Sequence, residues 1–154
     1  MTGFVTTAPA NNKIPRSVLW LGALGLLPFV AAMLLAVMAP SIKETAVAAL
    51  MAYGAVILSF LGGTLWGLVI GRAGDDRMGG LLVLSVVPSL IGWVSLLLPP
   101  VMALVLLALS FGCWFVVDTR MAKQNIAPPW YPRLRLPLTV IVVCCLALAV
   151  FFNA

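Results

Sequence analysis

Residues 59–72 read SFLGGTLWGLVIGR and place four glycines inside one of the most apolar stretches of the chain. In water, glycine destabilises a helix interior by about 1 kcal/mol relative to alanine. Inside a bilayer this cost matters less, because a backbone group that leaves the helix finds no water to bond. We therefore predict a membrane-spanning helix here, in which the glycines allow another helix to approach closely.

The composition of the whole chain supports a membrane protein. Of its 154 residues, 64% are hydrophobic and only 8% are charged, whereas soluble domains carry about 25% charged residues. The net charge of +5 is therefore interpreted as a sign of topology and of anionic lipid, and no nucleic-acid partner is expected. The chain has no histidine and three cysteines, all within apolar runs, so no cofactor or metal site is predicted.

Five apolar runs follow one another along the chain. A helix needs about 20 apolar residues to cross the hydrocarbon of a bilayer. We predict an all-α polytopic membrane protein, in which residues 1–16 form a flexible cytoplasmic tail and residues 17–154 form a single bundle of five transmembrane helices. The last run has only 15 residues, so a re-entrant or interfacial segment is the alternative to a full crossing there. The predicted spans are 17–39, 46–71, 79–98, 101–117 and 138–152.

Basic residues are distributed unequally between the two sides of this topology. The tail, the second loop and the fourth loop share one side and hold eight of the nine lysines and arginines, whereas Lys43 alone lies on the other side. Such asymmetry in short loops places the amino terminus inside and the carboxy terminus outside. We expect a multi-pass protein of the bacterial inner membrane.

Small residues recur every four positions along the second span, which predicts a face for helix packing. Two interpretations remain open at this point. The face either packs inside the bundle or forms a groove for a helix of another protein. The partner surface for the first interpretation lies on the third span and consists of Ser85, Ser89, Gly92 and Ser95. The residues of this face are Ala55, Ser59, Gly63, Gly67 and Gly71.

Aromatic and basic residues gather near the predicted inner interface. They are interpreted either as an aromatic belt beside positive-inside residues, or as a site for anionic lipid head groups or for a docking partner. Arg135 is expected to snorkel towards that interface. The candidate docking residues are Trp66, Arg72, Trp114, Trp130, Tyr131, Arg133 and Arg135.

The predicted spans carry no Asp, Glu, Lys or Arg in their middle, where such a residue would indicate an ion path or a proton relay. No nucleophile and base are paired in the sequence, so an enzyme is not expected.

Two segments resemble a known family. YGAVILSFLGGTLWG, residues 53–67, and WYPRLRLPLT, residues 130–139, are similar to signature segments in the family of transmembrane protein sixty-nine, a multi-span family of proteobacteria and mitochondria. The resemblance implies an inner-membrane bundle with no established activity, and it implies no catalytic residues.

These patterns favour a non-catalytic accessory or assembly protein that packs within a larger membrane complex, respiratory or photosynthetic. Its expected partners are membrane lipid, through anionic head groups, and a membrane protein; no soluble substrate is evident. The alternative is a small permease or lipid-handling protein, which predicts an internal cavity or a bound lipid.

Overall fold

A computed structural model describes residues 13–71 and 78–153. Most of the predicted tail and residue Arg72 of the predicted docking set lie outside these ranges. Within them are five helices that are long and apolar enough to cross a membrane. They are α1 (Arg16–Met38), α2 (Lys43–Ile70), α3 (Met78–Ser95), α4 (Pro100–Lys123) and α5 (Tyr131–Phe151), with a short 3-10 turn, Pro40–Ile42, between α1 and α2.

The five helices form a closed ring. Each of the helices α1 to α4 packs against the helix that follows it in the chain, and α5 also contacts α1. A contact between α2 and α4 crosses the middle of the ring, and its interior holds fully buried side chains such as Leu58, Leu107 and Phe111. Half of the residues in the most apolar 18-residue stretch of the second helix are buried inside the bundle, compared with 11% for α1. α2 is therefore the central helix.

The tightest contact in the bundle joins α2 to α3. A Cβ added at Gly62 would overlap the carbonyl oxygen of Ser85, and one added at Gly92 would lie 3.0 Å from the carbonyl oxygen of Ala55. The two contacts are seven residues apart on both antiparallel helices. Their spacing gives the 3.5-residue repeat by which neighbouring helices interdigitate.

α4 and α5 both extend beyond their predicted spans. α4 continues for six residues past position 117, because its basic last turn, which contains Arg120 and Lys123, suits the negative end of the helix dipole. α5 begins at Tyr131 instead of 138, because proline is tolerated in the first turn of a helix and Pro132 occupies it. With 21 residues, α5 is long enough to cross the bilayer.

A Schellman motif ends α4 and returns the chain against it. The amide of Asn125 donates to the carbonyl of Ala122 at 3.1 Å, and the amide of Ile126 donates to the carbonyl of Met121 at 2.8 Å. Asn125 has a φ of 57°, in the left-handed region that asparagine tolerates better than most residues. The buried side chains of Ile126 and Met121 accompany the motif, so α5 starts beside the end of α4.

Candidate functional site

A buried ion pair joins the end of α4 to the start of α5. Nε of Arg135 donates to Oδ2 of Asp118 at 2.9 Å, and the exposed fractions of the two residues are only 8% and 6%. The expectation that Arg135 snorkels to the interface is therefore wrong. Asp118 was expected to lie in a loop, yet it is inside a helix.

The pair lies close to one end of the helix bundle. Asp118 is five residues before the end of α4, and Arg135 is four residues after the start of α5. At about 1.5 Å per residue, both lie roughly 6–8 Å inside their helices. This is the end of the bundle at which α1 starts and α2 finishes.

The sequence contains a signal for this pair in the spacing of the core residues. The buried positions of α4 from Leu104 onwards follow a strict alternation of three and four residues, and Asp118 falls in phase with them. Arg135 likewise falls in phase with the buried positions of α5. The predicted spans end before Asp118 and begin after Arg135, so they leave both residues outside the helices. The two buried series are Leu104, Leu107, Phe111, Trp114, Asp118 and Met121 on α4, and Arg135, Thr139, Val142, Leu146 and Ala149 on α5.

Two buried polar atoms of α5 have no hydrogen-bond partner within the described residues. They are Nη2 of Arg135 and Oγ1 of Thr139, and Thr139 is only 7% exposed. Several serine and threonine hydroxyls in the described helices bond a carbonyl three or four residues earlier on their own helix. Six that do so are Ser59, Thr64, Ser85, Ser95, Ser110 and Thr119. Thr139 departs from this pattern, and its buried hydroxyl has no partner in the described protein.

Both atoms belong to residues that line a cavity of about 450 Å³. α1 and α2 are joined where the hydroxyl of Tyr53 donates to the carbonyl of Gly25 at 3.0 Å, and the cavity extends from there towards the start of α1. α5 forms its back wall. Leu21 and Phe60 are 70% and 63% exposed and belong to the walls, so the cavity reaches the lipid-facing surface of the bundle.

The walls of the cavity are mostly apolar. Phe29 and Phe111 meet edge to face, with ring centroids 5.9 Å apart, and both line it. The polar lining lies at the end near Arg135 and includes Thr64, Tyr131 and Thr139. An apolar chamber with a few convergent polar groups at one end is the usual form of a site for a small amphipathic molecule.

A second, much smaller cavity lies on the Asp118 side of the ion pair. Its volume is about 10 Å³, roughly the space of one water molecule. Thr64 and Tyr131 line both cavities, so they stand between the two. In the described part of the chain, no group of three or more His, Cys, Asp or Glu side chains could hold a metal ion.

The remaining candidate docking residues do not form one surface. Trp114 is buried, and its Nε1 has no partner within the described residues, so it is not part of an aromatic belt. Trp66 is 43% exposed and Arg133 is exposed, while Trp130 and Tyr131 are half-buried and meet edge to face.

The predicted small-residue face does not pack as a unit inside the bundle. Ala55 is buried against Gly92 of α3, as the internal interpretation requires. Gly63 and Gly67, by contrast, have no atom within 4 Å of an added Cβ. A four-residue step rotates about 40° beyond one full helical turn, so the series leaves α3 as it advances. Gly62 occupies the contact instead.

Comparison with known proteins places the chain in a family. Residues 14–151 match the family described as "Protein of unknown function (DUF3429)". The chain belongs to the DUF3429 family. This membership agrees with the resemblance drawn from residues 53–67 and 130–139.

Two curated relatives of this DUF3429 chain are both called transmembrane protein 69. The protein from Xenopus tropicalis is 36% identical over 137 residues, covering 87% of this chain and 53% of the relative. The protein from Mus musculus is 29% identical over 128 residues, covering 82% of this chain and 52% of the relative. The chain thus spans about half the length of these relatives. No solved structure matches it.

Proposed function

We propose that this protein is a lipid-handling membrane protein that holds an amphipathic molecule of the bilayer in the cavity between α1, α2 and α5, without catalysing a reaction. The observation that carries the proposal is a pair of buried, unpartnered polar atoms, Nη2 of Arg135 and Oγ1 of Thr139, in residues that line an otherwise apolar cavity. A buried donor without a partner costs about 1–3 kcal/mol, and a bound molecule removes this cost.

The shape and surroundings of the cavity support the same function. A volume of about 450 Å³ is within the range of sites that enclose small ligands. The exposed positions of Leu21 and Phe60 at its walls give a hydrocarbon tail a route to the bilayer. Ser85 and Ser95 of α3 bond carbonyls of their own helix, so neither hydroxyl supports a polar permease path along α3.

The proposal is tested by extracting the full chain from its native membrane into lipid nanodiscs and identifying the co-purifying lipid by mass spectrometry. We expect one amphipath to be enriched over bulk membrane. Ile57→Trp should reduce this enrichment at least fivefold, because Ile57 lines the cavity. Val56→Trp is the matched control, because the neighbouring Val56 is 62% exposed and is not among the lining residues. Enrichment of no lipid, or equal loss in both variants, would contradict the proposal.

We also propose, as a second candidate function, an accessory or assembly role in a larger complex of the bacterial inner membrane. The supporting observation is that Gly63 and Gly67 form open backbone surface on α2 that no helix of this chain covers. Such a surface allows a partner helix to approach closely in lipid. The positive-inside distribution and the family membership are compatible with this location.

This second role is tested with a photo-crosslinking residue at Ile70, which is 50% exposed and lies one helical turn from Gly67, both in the parent and in the double variant Gly63→Ile/Gly67→Ile. We expect the variant to fold as the parent does, because both positions face open space, and to lose a crosslinked membrane protein. Gly112→Ile is the control, since Gly112 on α4 also has no atom within 4 Å of an added Cβ. An unchanged set of crosslinked proteins in the double variant would exclude the role.

A further inference from the structure

We infer that the ligand of the cavity carries an uncharged head that accepts hydrogen bonds through carbonyl oxygens, attached to an apolar tail. This inference rests on the proposed lipid-handling function and specifies the chemistry of its ligand. It follows from the donors that the site presents, from the charge already present there, and from the walls that would hold the tail.

The site presents donors one helical turn apart. Arg135 and Thr139 are four residues apart on α5, so their side chains are neighbours on one face, with about 5–6 Å between their Cβ atoms. An arginine nitrogen can only donate, and Nη2 of Arg135 is left over after Nε has bonded Asp118. The hydroxyl of Thr139 is also uncommitted. The hydroxyl can donate or accept, whereas the arginine only donates, so the group that can bond both is an acceptor.

The charge of the site is already balanced. The carboxylate of Asp118 lies 2.9 Å from Nε of Arg135, so the two buried charges neutralise each other. Among the described residues that line the cavity, Arg135 is the only charged one. An anionic head would add a third, uncompensated charge in surroundings where desolvation alone costs several kcal/mol. A carbonyl oxygen meets both donors without this cost, whereas a carboxylate or phosphate does not.

The walls of the cavity suit a ligand whose apolar part is planar or branched. Aromatic side chains surround the chamber, and Phe29, Phe60 and Phe111 are among them. Two bilayer molecules share the required chemistry, a prenylated quinone and a glycerolipid that presents its ester carbonyls. The carbonyl head is common to both, and the experiment distinguishes between them.

The test measures the thermal unfolding midpoint of the purified full chain in detergent against increasing amounts of three probes. Decylubiquinone represents the quinone, dioctanoylglycerol the uncharged ester, and decanoate the anionic head. We expect one of the two uncharged probes to raise the midpoint, and decanoate to leave it unchanged. The uncharged probe that acts identifies the source of the carbonyl.

The variant Thr139→Val tests where in the site the head of the ligand binds. It removes a hydroxyl that has no partner in the described protein, so the chain should fold as before, and the apparent affinity for the active probe should fall about fivefold to tenfold. Thr119→Val is the control, because Thr119 bonds the carbonyl of Val116 at 2.8 Å and is not among the residues that line the cavity. This control should bind the probe as the parent does.

The outcomes separate this inference from the function on which it rests. Stabilisation by decanoate that equals or exceeds that by the uncharged probes would overturn the uncharged head and leave the lipid-handling function standing. Equal affinity in Thr139→Val and the parent would overturn the position of the head. If no probe acts and no lipid co-purifies in the nanodisc experiment, both the inference and the proposed function fail.

Discussion

At the scale of single residues, the most unusual feature is a charged pair inside a very apolar chain. Asp118 and Arg135 are both more than nine-tenths buried, and their side chains meet through a single hydrogen bond, from Nε to Oδ2. A buried ion pair adds little net stability compared with apolar residues, but one partner without the other is strongly destabilising. The ion pair therefore fixes the orientation of the Arg135 side chain, in which Nε bonds the carboxylate and Nη2 does not.

Replacing one member of the pair should be far more harmful than replacing both. We expect Arg135→Met to lower the free energy of unfolding by about 3–5 kcal/mol, because the buried carboxylate of Asp118 loses its counter-ion. The double variant Asp118→Leu/Arg135→Met should recover most of this loss. Unfolding in mixed micelles of dodecyl maltoside and SDS measures all three proteins. A double variant that is as unstable as the sum of the single variants would contradict this account.

At the scale of elements, the phase of small residues decides how α2 packs. The contact with α3 follows a repeat of seven residues, at Ala55 and Gly62, whereas the glycines of the four-residue series rotate out of it. Gly62 and Gly63 are adjacent in sequence, yet one meets the backbone of α3 and the other meets nothing within 4 Å. Their different surroundings follow from about 100° of rotation per residue.

The adjacent pair allows a matched comparison. Gly62→Ala should lower the free energy of unfolding by about 1–3 kcal/mol, because its Cβ would overlap the carbonyl of Ser85 and helix backbone cannot move without repacking. Gly63→Ala should change it by less than about 0.5 kcal/mol. The micelle unfolding assay applies again. Equal destabilisation by the two variants would show that the contact of Gly62 with α3 does not determine the result, since alanine favours the helix at both positions.

At the scale of the whole molecule, α1 is the least buried helix, and its contact with α5 completes the ring. α1 is only 11% buried in its most apolar window, and it contacts α5 where Leu138 lies beside Gly22. At the opposite end of the bundle, Nζ of Lys43 donates to the carbonyl of Phe152 at 2.8 Å, which ties the start of α2 to the end of the chain. The cavity exists because α1, α2 and α5, together with Phe111 of α4, surround it without filling it.

The predicted topology of five crossings has its two ends on opposite sides of the membrane. We expect Lys13→Cys to react with a membrane-impermeant maleimide only in inverted vesicles, and Asn153→Cys to react in intact cells, because the basic loops remain inside. The parent protein is the control, since its own cysteines lie within the helices. Labelling of both new cysteines in the same preparation would refute the five-span topology.

The number and class of the helices could be predicted from the sequence, because apolar length is a local property and each run needs only the bilayer to be satisfied. The family could be recognised for a similar reason, as its signature segments are continuous. The ends of α4 and α5 were harder, since charged and proline residues resemble loops until neighbouring helices bury them.

The tertiary structure alone decided which way each residue faces. Asp118 and Arg135 are 17 residues apart and become a site only when a tight turn sets α5 against α4 in one rotational phase. The cavity likewise depends on side chains of α1, α2, α4 and α5, which meet only in the folded bundle. Hydrophobicity determines that a helix enters the bilayer, but it does not determine the rotation of that helix about its axis. Contacts such as Gly62 with Ser85 and Gly92 with Ala55 determine this rotation, because packing between helices is specific and contact with lipid is not.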